Sequence, residues 1–255
     1  MPAETRLIPC LDDNYAVLIH DPATGATALV DAPEEAPVMT ALADTGWTLS
    51  DILITHHHAD HTQALAAIKR ATGARVVGPR AEASKIAGLD ETVAAGDTVT
   101  VGSMTAGVIE TPGHTRGHVV FHFAGEKILF AGDTLFVMGC GRLLEAGPEA
   151  MWPSLKKIKA LPADTTVFVG HEYTASNARF AAGIEPGNAA LLARLADVEA
   201  RRGRGEPTVP TTLAEEFATN PFLRADEASV AEGVGMAGAD PQAVFAEVRA
   251  RKDRG

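Results

Sequence analysis

The stretch Thr55-His56-His57-His58-Ala59-Asp60-His61 decides how this chain is read. It directly follows Ile52-Leu53-Ile54, a short, wholly apolar run that suits a strand buried on both faces. Open sheets place their ligands just beyond the carboxyl ends of such strands. His56 and His58 are two apart, and in an extended segment residues i and i+2 point to the same side. Both imidazoles can therefore meet one metal ion, while His57 points the other way. Asp60 and His61 follow as the chain turns into a helix, where they can face a second ion beside the first. Burying these four metal-capable side chains unpaired would be costly, so a purely structural role is improbable.

Further candidate ligands stand at other strand ends. His114 closes Thr111-Pro112-Gly113-His114, after a predicted strand at 105–110. Asp133, in Gly132-Asp133-Thr134, follows a predicted strand at 127–130, and His171 follows one at 167–169. The set has five imidazoles, two carboxylates and no thiolate, which suits zinc, iron or manganese. Asp133 is the natural bridge between two ions, because a carboxylate has two oxygens and an imidazole one usable nitrogen. Two ions roughly 3.5–4 Å apart can share a water that ionises near neutral pH, which supplies a hydroxide nucleophile without a protein base. The reaction class is hydrolysis of an acyl or phosphoryl bond. No Ser-x-x-Lys or Gly-x-Ser-x-Gly nucleophile is expected to compete with this reading.

Composition sets the limits around the site. The chain has 255 residues, 46% of them hydrophobic and 22% charged, which excludes a mostly disordered protein. With 33 acidic and 22 basic residues the formal charge is −11. That field repels phosphate backbones and anionic membranes, so neither nucleic acid nor membrane is an expected partner. No apolar run approaches the ~18 residues of a membrane span, and the N-terminus carries no signal-peptide pattern. Cys10 and Cys140 are too few for a disulfide framework and are read as free thiols. A cytoplasmic monomer is expected. Strand patterns dominate up to residue 170; beyond it helices are predicted at 175–182, 188–201, 213–218 and 241–251, and strand signals vanish. The expected division is a mixed α/β domain at 1–170 and a helical domain at 171–255.

With His114, Asp133 and His171, the segment from Thr55 to His61 resembles the metallo-β-lactamase superfamily, whose fold is an αββα sandwich. Within it, Thr-Pro-Gly-His-Thr-Arg-Gly-His at 111–118, Ala-Gly-Asp-Thr-Leu-Phe at 131–136, Gly-Cys-Gly-Arg at 139–142, Gly-His-Glu-Tyr-Thr at 170–174 and Asn-Pro-Phe-Leu-Arg at 220–224 are similar to the glyoxalase II, or hydroxyacylglutathione hydrolase, family. The resemblance implies one metal held by His56, His58 and His114 and another by Asp60, His61 and His171, with Asp133 bridging. Asp60 and Asp133 are then the catalytic carboxylates, and two divalent ions, zinc first, are the cofactors. The implied substrate is S-D-lactoylglutathione, hydrolysed to D-lactate and glutathione in methylglyoxal detoxification. A thioester suits this site, because its thiolate leaves without a general acid. Arg142, Tyr173, Arg249 and Lys252 are implied glutathione contacts, under a helical domain acting as a lid. In a chain of charge −11 these cations are local exceptions that an anionic ligand needs. Arg251 and Arg254 read instead as a solvated basic helix end.

The chain departs from the family pattern at Thr62-Gln63-Ala64, where a glycine is usual and a reshaped approach to the metals is expected. It departs again at Leu144, where many members carry an aromatic residue, and at Ala146-Gly147. His118 is expected to hydrogen-bond a ligand or the backbone, and His20 and His122 to be structural. The alternative enzyme is a glutathione persulfide dioxygenase with a single iron; the intact set Asp60, His61 and His171 speaks against it. A non-catalytic, metal-stabilised binding module is the reading from another class.

Overall fold

Ile52, Leu53 and Ile54 are wholly buried, and the strand that Ile52 and Leu53 end runs through the middle of a sheet. The computed structural model describes residues 2–254. The first sheet has six strands in sequence order: β1 (Glu4–Cys10), β2 (Asn14–His20), β3 (Ala26–Val30), β4 (Thr48–Leu53), β5 (Arg75–Pro79) and β6 (Glu91–Val93). β1 to β3 are antiparallel, whereas β3 to β6 run parallel. Parallel pairs need crossovers, supplied between β3 and β4 by α1 (Glu35–Thr45) and between β4 and β5 by α2 (Ala59–Thr62) and α3 (Leu65–Thr72). Gly46 and Gly73 end α1 and α3 in the left-handed conformation that glycine adopts without strain.

The second sheet is built from β7 (Thr98–Val101), β8 (Met104–Glu110), β9 (Val119–Phe123) and β10 (Ile128–Phe130). A small hairpin, β11 (Leu135–Phe136) with β12 (Gly139–Cys140), precedes α4 (Pro148–Lys159) and β13 (Thr166–Phe168). The remaining elements are α5 (Thr174–Ile184), α6 (Ala189–Gly203), β14 (Thr211–Thr212), α7 (Leu213–Thr219), α8 (Ala228–Gly233) and α9 (Pro241–Arg254). The sheet order is β14-β13-β10-β9-β8-β7. Strand signals therefore do not vanish after residue 171: Thr211 and Thr212 add an edge strand antiparallel to β13. Two residues carry too little pattern to be read as a strand.

Alternation along β2 explains the layers. Ala16 and Leu18 pack with Val38, Leu42, Leu65 and Ile68 of α1 and α3. Val17 and Ile19 point the opposite way and share a core with Val99, Phe121, Phe123 and Leu129 of the second sheet. That core continues through Trp152 and Leu155 of α4 to Phe222, in the turn after α7, and Phe245 of α9. The result is the αββα sandwich implied by the resemblance, with a helical C-terminal segment against the second sheet. Among the described residues no helix is long and apolar enough to cross a membrane.

Candidate metal centre

The segments after β4, β8, β10 and β13 converge at one edge of the sandwich. His56 Nε2 lies 3.1 Å from His58 Nδ1, and His114 Nε2 lies 2.9 Å from that same nitrogen. His58 thus presents Nδ1 where its two neighbours present Nε2. His61 Nε2 and His171 Nε2 approach to 3.3 Å, and Asp60 Oδ2 is 3.6 and 3.4 Å from them. Two sets of donors, His56-His58-His114 and Asp60-His61-His171, are each close enough to hold a metal ion. The carboxylate of Asp133 faces both: Oδ1 is 3.3 Å from His61 Nε2, while Oδ2 is 3.3 Å from His114 Nε2 and 3.4 Å from His171 Nε2.

The donor set fits divalent metal ions. Asp133 Oδ1 is buried without a hydrogen-bond partner, an orphaned acceptor that a cation would satisfy. A Cβ on Gly170 would come within contact of that oxygen and lie 2.8 Å from His61 Cε1, so the backbone itself leaves room there. The far nitrogens of four of the five rings are already occupied. His61 Nδ1 meets Asp31 Oδ2 at 2.8 Å, His171 Nδ1 meets Asp13 Oδ1 at 2.9 Å, and His114 Nδ1 donates to the Arg142 carbonyl at 2.9 Å. Thr55 donates its hydroxyl proton to Asp31, so it can only accept from His56 Nδ1, 3.0 Å away. His56, His61, His114 and His171 are thereby turned with the opposite ring nitrogen toward the cluster, the arrangement that orients metal-binding histidines.

Electrostatics mark the same cluster. Burial works against charge on His61, yet Asp133 and Asp31 on either side hold its pKa well above the ordinary value. Burial likewise opposes charge on His171, and Asp133 and Asp60 raise it to about 10. Burial drives His56 and His118 the other way, well below the ordinary value. Neutral His118 accepts the Asp133 backbone N–H at 3.0 Å through Nε2, the backbone hydrogen bond expected of it. Gly132 stands beside it at φ +47, where a Cβ would meet His118 Nε2 at 2.8 Å.

His58, Asp60, His114, Asp133 and His171 form the floor of a cavity of about 400 Å³. Arg142, Tyr173, Arg249 and Lys252 line it as well. Arg142 is exposed. Tyr173 lies flat on His171, ring centroids 4.8 Å apart, and burial with Asp13 and Asp133 nearby pushes its hydroxyl up to about 12, so it remains a donor. Arg249 is buried: Nη1 donates to the Cys140 carbonyl at 3.0 Å, Nη2 to Asp253 at 2.7 Å, and Nε has no partner. Lys252 donates to Ser176 Oγ at 2.8 Å. Cys10 and Cys140 are free and buried, and burial pushes each thiol up to about 11. Thr62 and Gln63 stay outside the cavity lining and bond the carbonyls of His58 and Pro33, so this departure leaves the approach to the cluster unblocked. Ser154 and Lys157 have Ser-x-x-Lys spacing, but the Ser154 hydroxyl is turned to the carbonyls of Pro112 and Ala150.

A family model for the metallo-beta-lactamase superfamily matches residues 11–171, and one for the hydroxyacylglutathione hydrolase C-terminus matches residues 172–255. Hydroxyacylglutathione hydrolase from Rhodopseudomonas palustris is 56% identical over 254 residues, 100% of both chains. The chain belongs to the hydroxyacylglutathione hydrolase family. A second hydroxyacylglutathione hydrolase, from Cereibacter sphaeroides, is 54% identical over 253 residues, 99% of both chains. Among solved structures, ETHE1 from Myxococcus xanthus matches with a TM-score of 0.67 at 27% identity, covering 100% of both chains.

In this member of the hydroxyacylglutathione hydrolase family, three acids support the cluster that sequence reasoning missed. Asp31 follows the apolar strand β3 directly, so the strand-end rule that found Asp133 also points to it. It accepts from the Thr55 backbone N–H at 2.8 Å and sits at φ +59, a left-handed conformation uncommon outside glycine. Asp13 lies in the turn before β2, with no pattern to mark it. Glu82 is buried and accepts from His57 N and Nδ1, Gly117 N and Thr115, tying the histidine segment to the 111–118 loop. It also holds His57 turned away from the cluster, the orientation expected of it. A single acid in a polar turn gives no such signal in sequence.

Proposed function

We propose that this chain hydrolyses the thioester S-D-lactoylglutathione to D-lactate and glutathione, using two divalent metal ions of which zinc is the first choice. The observation that carries this reading is one buried carboxylate, Asp133, facing two three-donor sets at the floor of a cavity walled by cationic and phenolic side chains. His56, His58 and His114 would hold one ion, Asp60, His61 and His171 the other, and Asp133 both. When bound, such a pair supplies an ionised water at neutral pH and polarises the carbonyl under attack. An all-nitrogen-and-oxygen donor set suits zinc, with iron or manganese as the nearest alternatives.

The chain's own residues supply recognition. Arg142 and Lys252 offer charge to the two carboxylates of glutathione, and Tyr173 offers a neutral hydroxyl donor. Arg249 keeps one buried N–H, its Nε, without a partner. A buried donor of that kind is costly to leave unsatisfied and favours an anionic ligand. No side chain is needed to protonate the leaving group, because a thiolate departs unaided. In this reading residues 1–170 together with His171 carry the chemistry, and the rest of 171–255 forms the substrate-binding lid. One chain supplies every proposed contact, so a monomer suffices.

The named relatives hydrolyse hydroxyacylglutathione by their names, and the chain covers 99–100% of their length. The alternative, a glutathione persulfide dioxygenase with a single iron, leaves the set Asp60, His61 and His171 without a task. Turnover of S-D-lactoylglutathione by metal-loaded protein tests the proposal. Loss of the thioester with matching release of D-lactate is expected. Oxygen uptake with glutathione persulfide and no thioester hydrolysis would overturn it.

A further inference from the structure

Arg142 and Leu144 line one side of the cavity from residues 141–147, which belong to no helix or strand. Their side chains alternate. Arg142 and Leu144 are exposed and line the cavity, while Leu143 packs against the core. Glu145 lies in the bend that follows, half-buried against the 111–118 loop. Backbone bonds hold only its ends, from Gly141 N–H to the Thr134 carbonyl and from Met151 N–H to the Gly147 carbonyl; between them the segment is held by side-chain ties. The Arg142 carbonyl accepts from His114 at 2.9 Å. Glu145 Oε2 accepts from the Arg116 backbone N–H at 3.0 Å, and Oε1 accepts from Lys85 Nζ at 2.9 Å. The Glu145 carbonyl accepts from Arg116 Nε at 2.9 Å, and His57 Nε2 lies 3.4 Å from Oε1. His57, His58 and Glu145 are close enough together to hold a cation, but the Lys85 ammonium already stands against two of them.

We infer that Glu145 is a positioning residue for substrate recognition: by pinning this segment to Arg116 and Lys85 it fixes where Arg142 and Leu144 stand over the cavity, and so sets the affinity for the glutathione portion of the thioester. The inference rests on the proposed role of Arg142 as a glutathione contact. The Arg116 N–H and the Lys85 ammonium hold the Glu145 carboxyl down to about 2, so the latch stays charged at every working pH. A plain ion pair at the solvent edge would be worth little and would leave binding unchanged. Four contacts from three segments on one side chain and its carbonyl argue for more.

The test compares Glu145→Ala, Glu145→Gln, Arg142→Ala and the Glu145→Ala/Arg142→Ala double variant with the metal-loaded wild-type protein. The probe is S-hexylglutathione, an unreactive thioether, and its binding is followed by calorimetry. Glu145→Ala is expected to weaken its Kd, and to raise KM for the thioester, by about five- to tenfold. Glu145→Gln, which keeps an acceptor oxygen, should recover part of that loss. kcat should stay within about twofold and metal content should match wild type. In the Arg142→Ala background, Glu145→Ala should cost clearly less than it does alone, because most of its effect passes through Arg142. An unchanged Kd, an additive double variant, or a fall in kcat with loss of metal would overturn the inference. Failure of the wild-type protein to bind the thioether would overturn the glutathione reading with it, whereas wild-type binding with an indifferent Glu145→Ala overturns this inference alone.

Discussion

Asp133 is the residue on which the account turns. Its oxygens face both donor sets, and Oδ1 is otherwise unpartnered. Asp133→Asn keeps the shape but replaces one anionic oxygen with an NH₂ group that cannot accept a cation. Turnover of the thioester is expected to fall by at least about 100-fold, with weaker metal retention on dialysis against chelator. A variant with wild-type turnover would remove Asp133 from the mechanism. At the cavity wall, burial and the nearby charges of Arg249 and Arg179 lower the pKa of Lys252. An ammonium that binds a carboxylate is lost as pH rises through its pKa, so KM should climb at a pH below the ordinary lysine range. Lys252→Arg should flatten that limb, because guanidinium stays charged; an unchanged KM–pH profile would contradict the contact. At this scale the histidines were legible because each follows an apolar strand. Glu82 and Glu145 were not, because an isolated acid in a turn looks the same whether it faces solvent or anchors a loop.

Elements explain motifs that single residues do not. Asn220 donates to the carbonyls of Phe136 and Gly139, tying the segment after α7 to the β11–β12 hairpin beside the cavity. Arg224 donates through Nε and Nη2 to both oxygens of buried Glu185 at the end of α5. Burial pushes the Glu185 carboxyl upward, but Arg224 and Ser229 hold it below the ordinary value. A depressed folded-state pKa contributes stability above the unfolded value and loses it as pH falls through the folded one. Removing one member of a buried pair leaves the other uncompensated, so Arg224→Ala should cost about 3–5 kcal/mol in denaturant unfolding. Glu185→Gln should flatten the acid limb of the stability profile, and an unchanged midpoint in both variants would show the pair to be idle. The long strands and helices were readable from their periodicity. β1, β6 and β14 were not: β1 is an edge strand exposed over most of its length, and the other two are too short to show alternation.

At the scale of the molecule, two six-stranded sheets lay their strand ends along one edge, and the C-terminal helices close over it. The αββα order was legible only through the resemblance, since strand and helix patterns alone do not say which sheet covers which. The charge of −11 gains a local meaning here: Arg142, Arg249 and Lys252 gather at the one cavity where the cluster lies, in a chain otherwise rich in acid. Titrating metal-free protein with zinc while recording the rate of S-D-lactoylglutathione hydrolysis tests whether both donor sets are needed for turnover. The rate is expected to rise until two equivalents per chain are bound and then level. A rate that saturates at one equivalent, or no hydrolysis by fully loaded protein, would contradict it.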